Sequence, residues 1–181
     1  VPLDGVFPLS WSLDHAGPLA RNAKDAALLL SCLSSTPMPI DKMALSDIRI
    51  GLVRSQFSTS AFGRAVTDHI NVAIKKLRHG GAQISEISIC DLDFANRNLI
   101  TILRSEAAVI HAELYAHNAA GYAAGTRTQI EAGFAVPATD YVRARRFQTR
   151  LRESIEACFS DVDVLLAPSV PYVAPVEDPQ I

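Results

Sequence analysis

The segment "DIRIGLVRSQFSTSAFGRAVTDHINVAIKKLRHGGAQISEISI" (residues 47–89) carries the clearest pattern of secondary structure in the chain. Its start, residues 47–53, is rich in branched apolar side chains and predicts a short strand. Apolar residues then recur at helical spacing before two glycines that end the helix: Val66, Ile70, Ala73, Ile74, Leu77, Gly80 and Gly81. Residues 82–89 predict a second strand. Strand, helix and strand in this order predict a βαβ unit with parallel pairing.

Helices are predicted on both sides of this unit. Asn22 is a candidate N-cap with Asp25 in the first turn, and an apolar stripe follows it: Ala26, Leu29, Leu30 and Leu33. A long helix after residue 93 would bury a second stripe: Leu99, Leu103, Ala107, Ile110 and Leu114.

The last part of the chain predicts a broken region, a helix and a strand. Residues 118–140 are interrupted by Gly and Pro, and a helix begins near Thr139 or Asp140. That helix would bury Ala144, Phe147, Leu151 and Ile155, and residues 161–168 predict a buried strand. The predicted fold class is α/β, with the chain as part of a mixed β-sheet core flanked by helices, and residues 1–181 are expected to form a single domain.

Composition excludes several functional classes. The 181 residues carry a formal net charge of −2, which gives no reason to expect nucleic acid or an anionic membrane as a partner. No apolar run approaches the roughly 18 residues that a membrane span needs, and the first residues lack the pattern of a signal peptide. Cys32, Cys90 and Cys158 have no metal-type spacing, which predicts buried thiols in a reducing cytoplasm.

Residue types alone supply no complete catalytic or metal site. Glu113 and His117 are spaced i, i+4, but two potential ligands favour a solvated helix pair over a metal site. Five arginines lie within residues 143–152, yet they do not share one helical face. A solvated helix, partly paired with Glu153 and Glu156, is favoured over contact with phosphates. No serine lies in a G-x-S-x-G turn, so a Ser/His/Asp triad is not supported.

Four segments, in the right order, resemble the amidase signature family. "GVFPLSWSLDHAGPLARNAKDAALLL" (residues 5–30) is similar to the run that follows the serine-rich signature in that family. "IRIGLV" and "LRHGGAQISEISI" (residues 77–89) are similar to the strand–helix–strand of the family. "TRTQIEAGFAVPATDYVRARRFQTRL" (residues 126–151) and "DVDVLLAPSVPYVAP" (residues 161–175) resemble two later segments. The resemblance covers nearly the whole chain.

The resemblance implies an amide hydrolase. Family members cleave a carboxamide through an acyl-enzyme, with a serine, cis-serine and lysine triad and an oxyanion site made by backbone N–H groups. These parts lie in the N-terminal half of the family, and the 181 residues contain no "GGSSGG"-like loop. We therefore expect the chain to be the C-terminal portion of such an enzyme, with its triad upstream of Val1, and to be inactive alone. No cofactor or metal is implied.

The resemblance also implies roles for residues of the first segment. Trp11 and Phe7 would line the acyl pocket, with a place in the apolar core as the alternative. Asp14 and Arg21 would form a buried pair that fixes the loop beneath the catalytic serines, or Asp14 would only cap its own loop. Asp25 would support the site from the start of the first helix.

Two later residues are candidates for substrate contact. Arg127 matches the first arginine of an R-x-R motif near which relatives place substrate-contacting groups, and Gln129 replaces the second arginine. Ser169 lies where relatives often carry a threonine close to the substrate, with a turn serine as the alternative.

Three functions stay open within these implications. His15 after "SLD" and the single tyrosine of "DYVRA" depart from the subunit that amidates misacylated tRNA, which favours a stand-alone hydrolase of small amides. There are two alternatives. One is a protein similar to the tRNA-linked amidotransferase subunit, and the other is a non-catalytic binding or interaction domain derived from this fold. The partners expected are a small amide, and either the N-terminal half of the same enzyme or a second copy of the chain. A partner protein predicts exposed apolar surface on this chain.

Overall fold

The computed structural model describes residues 1–38, 40, 43–53, 55, 64–170 and 173. Helices in this part of the chain are α1 (Ala23–Ser34), α2 (Arg64–His79), α3 (Ala95–Asn118), α4 (Ala124–Phe134) and α5 (Ala138–Cys158). Strands are β1 (Arg49–Val53), β2 (Gln83–Ile87) and β3 (Val164–Leu166). Short 3-10 turns cover Leu45–Asp47, Leu92–Phe94 and Ala119–Gly121.

The three strands form a parallel sheet in the order β2-β1-β3. Ile50 of β1 is paired with Ile84 of β2 and with Val164 of β3. The predicted βαβ unit and α/β class are therefore confirmed. The central strand β1 is buried from Ile50 to Val53 on both faces, as expected for a parallel strand covered on two sides.

Helix α2 covers one face of this sheet. Ile74, which is 4% exposed, packs with Leu52, which is fully buried. Partly buried neighbours complete the cluster: Ile70, Ile84 and Leu166. The helix ends at His79. Two residues later Gly81 adopts a φ of +97°, a conformation that favours glycine and turns the chain toward β2.

The chain divides into two compact units. The first unit comprises Val1–Lys42 and Asn96–Phe147, and the second comprises Met43–Ala95 and Gln148–Ile181. The sheet and α2 belong to the second unit. Most buried side chains of the first unit come from α3, α4 and α5, and Ser10 adds one from the segment before α1: Ile102, Glu106, Ala107, Ala108, Ile130, Ala144, Phe147 and Ser10. The assignment of residues 1–181 to a single domain stays a prediction.

Two predicted helical stripes are not buried as expected. Asn22 does cap α1, accepting a hydrogen bond from the Asp25 N–H at 2.9 Å, but no residue of α1 is buried, and Leu29 and Leu33 are 45% and 46% exposed. In α3, Ala107 is buried as predicted, but Leu99 and Leu114 are exposed. The buried face of α3 is rotated from the predicted stripe because it follows Ile102 and Glu106, a face that includes a carboxylate.

Three further expectations are corrected. Residues 118–140 are not irregular throughout, because they contain the regular helix α4. Gly125 and Gly133 lie within this helix, and Pro137 follows its end. The last strand is shorter than residues 161–168, since only three residues pair with β1. The thiols are not buried: Cys32 and Cys90 are exposed and Cys158 is half-buried, and all three are free.

Candidate functional site

The segment around Ser10 forms a closed turn. The Ser10 carbonyl oxygen accepts hydrogen bonds from the N–H groups of Leu13 at 2.9 Å and Asp14 at 2.8 Å. The Asp14 carboxylate in turn accepts the N–H groups of Leu9 at 2.8 Å and Ser10 at 3.1 Å. Asp14 thus satisfies backbone donors of its own loop, as short acidic side chains commonly do in turns.

The carboxylate of Glu106, on α3, lies beneath this turn and is 1% exposed. Its Oε2 accepts the Ser10 hydroxyl at 2.5 Å and the Ser12 N–H at 3.1 Å. Its Oε1 accepts the Ser12 hydroxyl at 2.6 Å and the Tyr141 hydroxyl at 2.9 Å. A guanidinium nitrogen of Arg145, on α5, lies 3.6 Å from the same Oε1. One buried charge therefore joins the turn, α3 and α5.

Hydrogen bonding decides the charge state of this cluster. Burial raises the pKa of Glu106, but hydrogen bonds from Ser10, Ser12 and Tyr141 outweigh it and hold that pKa below its ordinary value. Burial, together with the hydrogen bond to Glu106 and the negative charge of Glu106, raises the pKa of Tyr141. Glu106 is thus ionised and Tyr141 protonated at neutral pH, so the tyrosine acts as a donor.

A pocket of about 350 Å³ lies beside this cluster. Ser105, Glu106 and Tyr141 form its polar part, and apolar residues of α3, α4 and the chain between α4 and α5 form most of the rest. Its lining comprises Trp11, Ser105, Glu106, Ala108, Val109, Gly133, Phe134, Val136, Ala138 and Tyr141. Every lining residue belongs to the first unit. An apolar cavity with a few convergent polar groups is the usual form of a small-molecule site.

Trp11 and Asp14 both lie at this site, whereas Arg21 does not. Trp11 lines the pocket and is 53% exposed, and Phe7 packs on His111 with a ring-centroid separation of 5.4 Å. Within the described residues no hydrogen bond or ion pair joins Asp14 to Arg21, and the Arg21 side chain is exposed. The geometry of Asp14 corresponds to the loop-capping alternative.

Asp25 and Arg127 lie on helices away from the lining of the pocket. Asp25 accepts a hydrogen bond from the Asn22 side-chain amide at 2.7 Å, at the start of α1. Arg127 is half-buried in α4, and its charge partly offsets the rise in the pKa of Tyr115 that the hydrogen bond to Glu131 produces. Ser169 is exposed and follows β3 in the second unit.

Two polar side chains singled out in the sequence have partners within the chain. Gln129, in place of a second arginine, accepts a hydrogen bond from the Arg104 guanidinium at 2.8 Å. Arg152 lies 3.7 Å from Glu156, in line with the predicted partial pairing of the arginine-rich helix. These contacts account for both side chains without a substrate.

Glu106 and Tyr141 were not identified as site residues from the sequence. The available signal was the position of Glu106, four residues after Ile102 and four before Ile110, on an otherwise apolar helical face. A charged residue at a core position needs buried partners. Ser10 and Ser12 in the matching motif were the candidates.

Two other features are absent from the described part of the chain. Among those residues, no three His, Cys, Asp or Glu side chains lie close enough to hold a metal ion. No helix that the structure describes is both long and apolar enough to cross a membrane.

Comparison with protein-family models identifies a match over residues 1–179, to the family described as Amidase. An amidase of Pseudomonas putida is 29% identical over 187 residues, which include 94% of this chain. A glutamyl-tRNA(Gln) amidotransferase subunit of Gloeothece citriformis is 27% identical over 207 residues, again including 94% of this chain.

Solved structures show the same relationship. The crystal structure of an amidase superposes with a TM-score of 0.88 at 30% sequence identity over 97% of this chain. The chain covers 39% of that protein and 39% of the Pseudomonas amidase, and 43% of the Gloeothece protein. It thus spans about two fifths of the length of the relatives it matches.

Proposed function

Since the chain belongs to the amidase family, we propose that it forms the substrate-pocket portion of an amide hydrolase that cleaves small carboxamides. The observation that carries the proposal is the pocket beside Glu106. Two of its walls come from the segments that resemble the family motifs, residues 5–30 and 126–151. Two of the four segments that resemble the family therefore converge on one cavity.

The pocket favours an apolar group on the substrate. Its volume, about 350 Å³, lies at the small end of the roughly 300–1,000 Å³ range of ligand sites. The walls include Trp11, Val109 and Phe134, which offer apolar surface and no charge. We assign to this pocket the acyl or aryl group of a small carboxamide, while the amide itself reacts outside the apolar walls.

The reaction proposed is hydrolysis through an acyl-enzyme. A serine attacks the amide carbonyl, the C–N bond breaks, and the leaving amine takes a proton from the triad. Water then cleaves the serine ester to give a carboxylic acid and the free serine. The nucleophile and the lysine base are proposed to lie outside these 181 residues, because no glycine-serine loop occurs among them. Trp11, Asp14, Arg127 and Ser169 stay proposed substrate-binding residues, with Asp14 acting through the turn that it caps.

A protein partner and a cytoplasmic location complete the proposal. Large apolar side chains stand exposed on the described surface, among them Leu19 at 98%, Phe7 at 68% and Leu28 at 66%. Such surface favours a covering partner, for which we propose the N-terminal half of the same enzyme. The free thiols of Cys32, Cys90 and Cys158 suit a reducing compartment.

Amidotransferase activity is the second candidate, supported by the similarity to the Gloeothece protein. His15 and the single Tyr141 depart from the pattern expected of the tRNA-linked enzyme, so hydrolysis is preferred. Release of free ammonia without a second protein is expected for a hydrolase.

The test is to fill the pocket in the complete reading frame that encodes these residues. Val109→Trp places a large ring at the pocket wall, whereas Val72→Trp makes the same change on α2, outside the pocket lining. Both valines are exposed, at 66% and 51%, so neither change disrupts a core.

Ammonia release is measured over a series of amides with acyl groups of increasing size. Val109→Trp is expected to raise KM about tenfold for the larger acyl groups, since each 1.4 kcal/mol of lost binding is tenfold. The KM for acetamide, which has the smallest acyl group, is expected to change least. Equal behaviour of the two variants across the series contradicts the assignment of the pocket.

A further inference from the structure

We propose that Glu106 is a positioning residue of the pocket, which holds the turn between Ser10 and Ser12 so that Trp11 forms one wall. Only the kinetic test of this proposal, the measurement of KM, depends on the proposed function. Its structural content concerns three segments of one compact unit and is tested independently of catalysis.

The turn is held to Glu106 from both sides of Trp11. Ser10 donates its hydroxyl to Oε2, and Ser12 donates its N–H to the same oxygen and its hydroxyl to Oε1. These residues are 96 and 94 positions from Glu106 in sequence, so the contacts are tertiary and not part of a local turn. Trp11, between the two serines, has its backbone fixed while its side chain lines the pocket.

The same carboxylate also anchors the opposite wall. Tyr141 donates to Oε1 from α5, and Arg145, one helical turn later, lies 3.6 Å from it. Tyr141 and Ala138 both line the pocket from α5, and Val109 lines it from α3. Glu106 therefore sets the distance between the walls that carry Trp11, Val109 and Tyr141.

A neutral side chain cannot reproduce this set of contacts. The cluster presents four hydrogen-bond donors and a guanidinium to one group, and an ionised carboxylate accepts through two oxygens. The side-chain amide of a glutamine at position 106 has one acceptor oxygen, and its NH₂ group would stand where the carboxylate now accepts hydrogen bonds. Ser10 is fully buried, so its hydroxyl has no access to solvent when its partner is lost.

Trp11 supplies a direct readout, because it is the one tryptophan among the 181 residues. Its emission is isolated as the difference between the complete protein and its Trp11→Phe variant. The measurement is then repeated with Glu106→Gln present in both proteins. Glu156→Gln is the matched control, since Glu156 is also a helical carboxylate near an arginine, at 3.7 Å, but is exposed.

Glu106→Gln is expected to shift the Trp11 emission to longer wavelength and to raise its quenching by acrylamide, by less than about twofold because 53% of the side chain is already exposed. It is expected to raise KM about tenfold, as the loss of a hydrogen bond to a charged group predicts, with a smaller change in kcat. Glu156→Gln is expected to change neither the emission nor KM. A folded Glu106→Gln protein with unchanged Trp11 emission and quenching overturns the proposal.

Ser12→Ala keeps the proposal testable if Glu106→Gln fails to fold. This variant leaves Glu106 charged and removes one hydroxyl donor, so the Trp11 emission is expected to shift in the same direction by a smaller amount. An unchanged spectrum in folded Ser12→Ala overturns the positioning role. If the parent protein releases no ammonia from any amide, the proposed function fails while the Trp11 measurements still decide the role of Glu106.

Discussion

At the scale of single residues, the site is organised by one buried carboxylate. The spacing of Ser10, Ser12 and Asp14 is recognisable in the sequence as a motif, but the physical reason for that spacing is not. The structure supplies it: both serines donate to Glu106, and Asp14 caps the turn that carries them. Glu106 was missed because a glutamate on a helix is usually exposed, and its partners lie far away in sequence.

The charge of Glu106 predicts how folding stability depends on pH. The folded pKa lies below the ordinary value of 4.5, so the stabilising contribution is present above that value. It is lost as the pH falls through the lowered folded pKa. Urea unfolding of the complete protein is therefore expected to show decreasing stability on acidification below about pH 4.5.

Glu106→Gln is expected to lower the free energy of unfolding at pH 7 by about 2 kcal/mol, through hydrogen-bond donors left without acceptors. The difference between the parent and this variant should narrow on acidification, since the parent loses its charge there. Glu156→Gln serves as control, because Glu156 is exposed. A difference that stays constant from pH 7 to pH 3 contradicts the assigned ionisation.

At the scale of elements, hydrophobic periodicity predicts the βαβ unit correctly and the flanking helices only in part. Strand and helix in residues 47–89 pack on each other, so their apolar periods report directly on burial. The stripe on α1 is also apolar, but nothing within the described residues covers it. Hydrophobic periodicity does not distinguish an apolar face that is buried from one that is exposed. Helix α4 is not predicted by the sequence because glycine weakens a helix, although Gly133 is required there by packing.

Gly133 allows α4 to approach α3 closely. A Cβ atom at this position would lie 2.1 Å from the Arg104 carbonyl oxygen and 2.8 Å from the Ala108 Cβ. Glycine to alanine inside a helix normally stabilises by about 1 kcal/mol. At Gly133 alanine is expected to destabilise instead, lowering the free energy of unfolding by about 1–3 kcal/mol, because the added Cβ atom overpacks against the backbone of α3.

Thermal unfolding of Gly133→Ala measures this effect. Gly17→Ala is the control, because a Cβ atom at Gly17 meets nothing within 4 Å. The Gly133 variant should also bind apolar amides more weakly, since Gly133 lines the pocket. An unchanged or higher melting temperature for Gly133→Ala would show that the close contact between α3 and α4 is absent in solution.

At the scale of the whole molecule, the sequence predicts the family and the α/β class, because four motif segments lie in order along the chain. The activity does not follow from these residues alone. They span about two fifths of the matched relatives and include no glycine-serine loop. The described surface also carries exposed apolar side chains such as Leu19 and Leu28. Amide hydrolysis is therefore proposed for the complete protein and not for these 181 residues alone.

The central claim is that these residues form the pocket of an amide hydrolase whose nucleophile lies elsewhere. The most direct test compares ammonia release from aliphatic and aryl amides by two proteins, the 181-residue chain and the complete reading frame that encodes it. We predict hydrolysis by the complete protein and none by the 181 residues. Hydrolysis by the 181-residue chain, or none by the complete protein with any amide of the series, would contradict it.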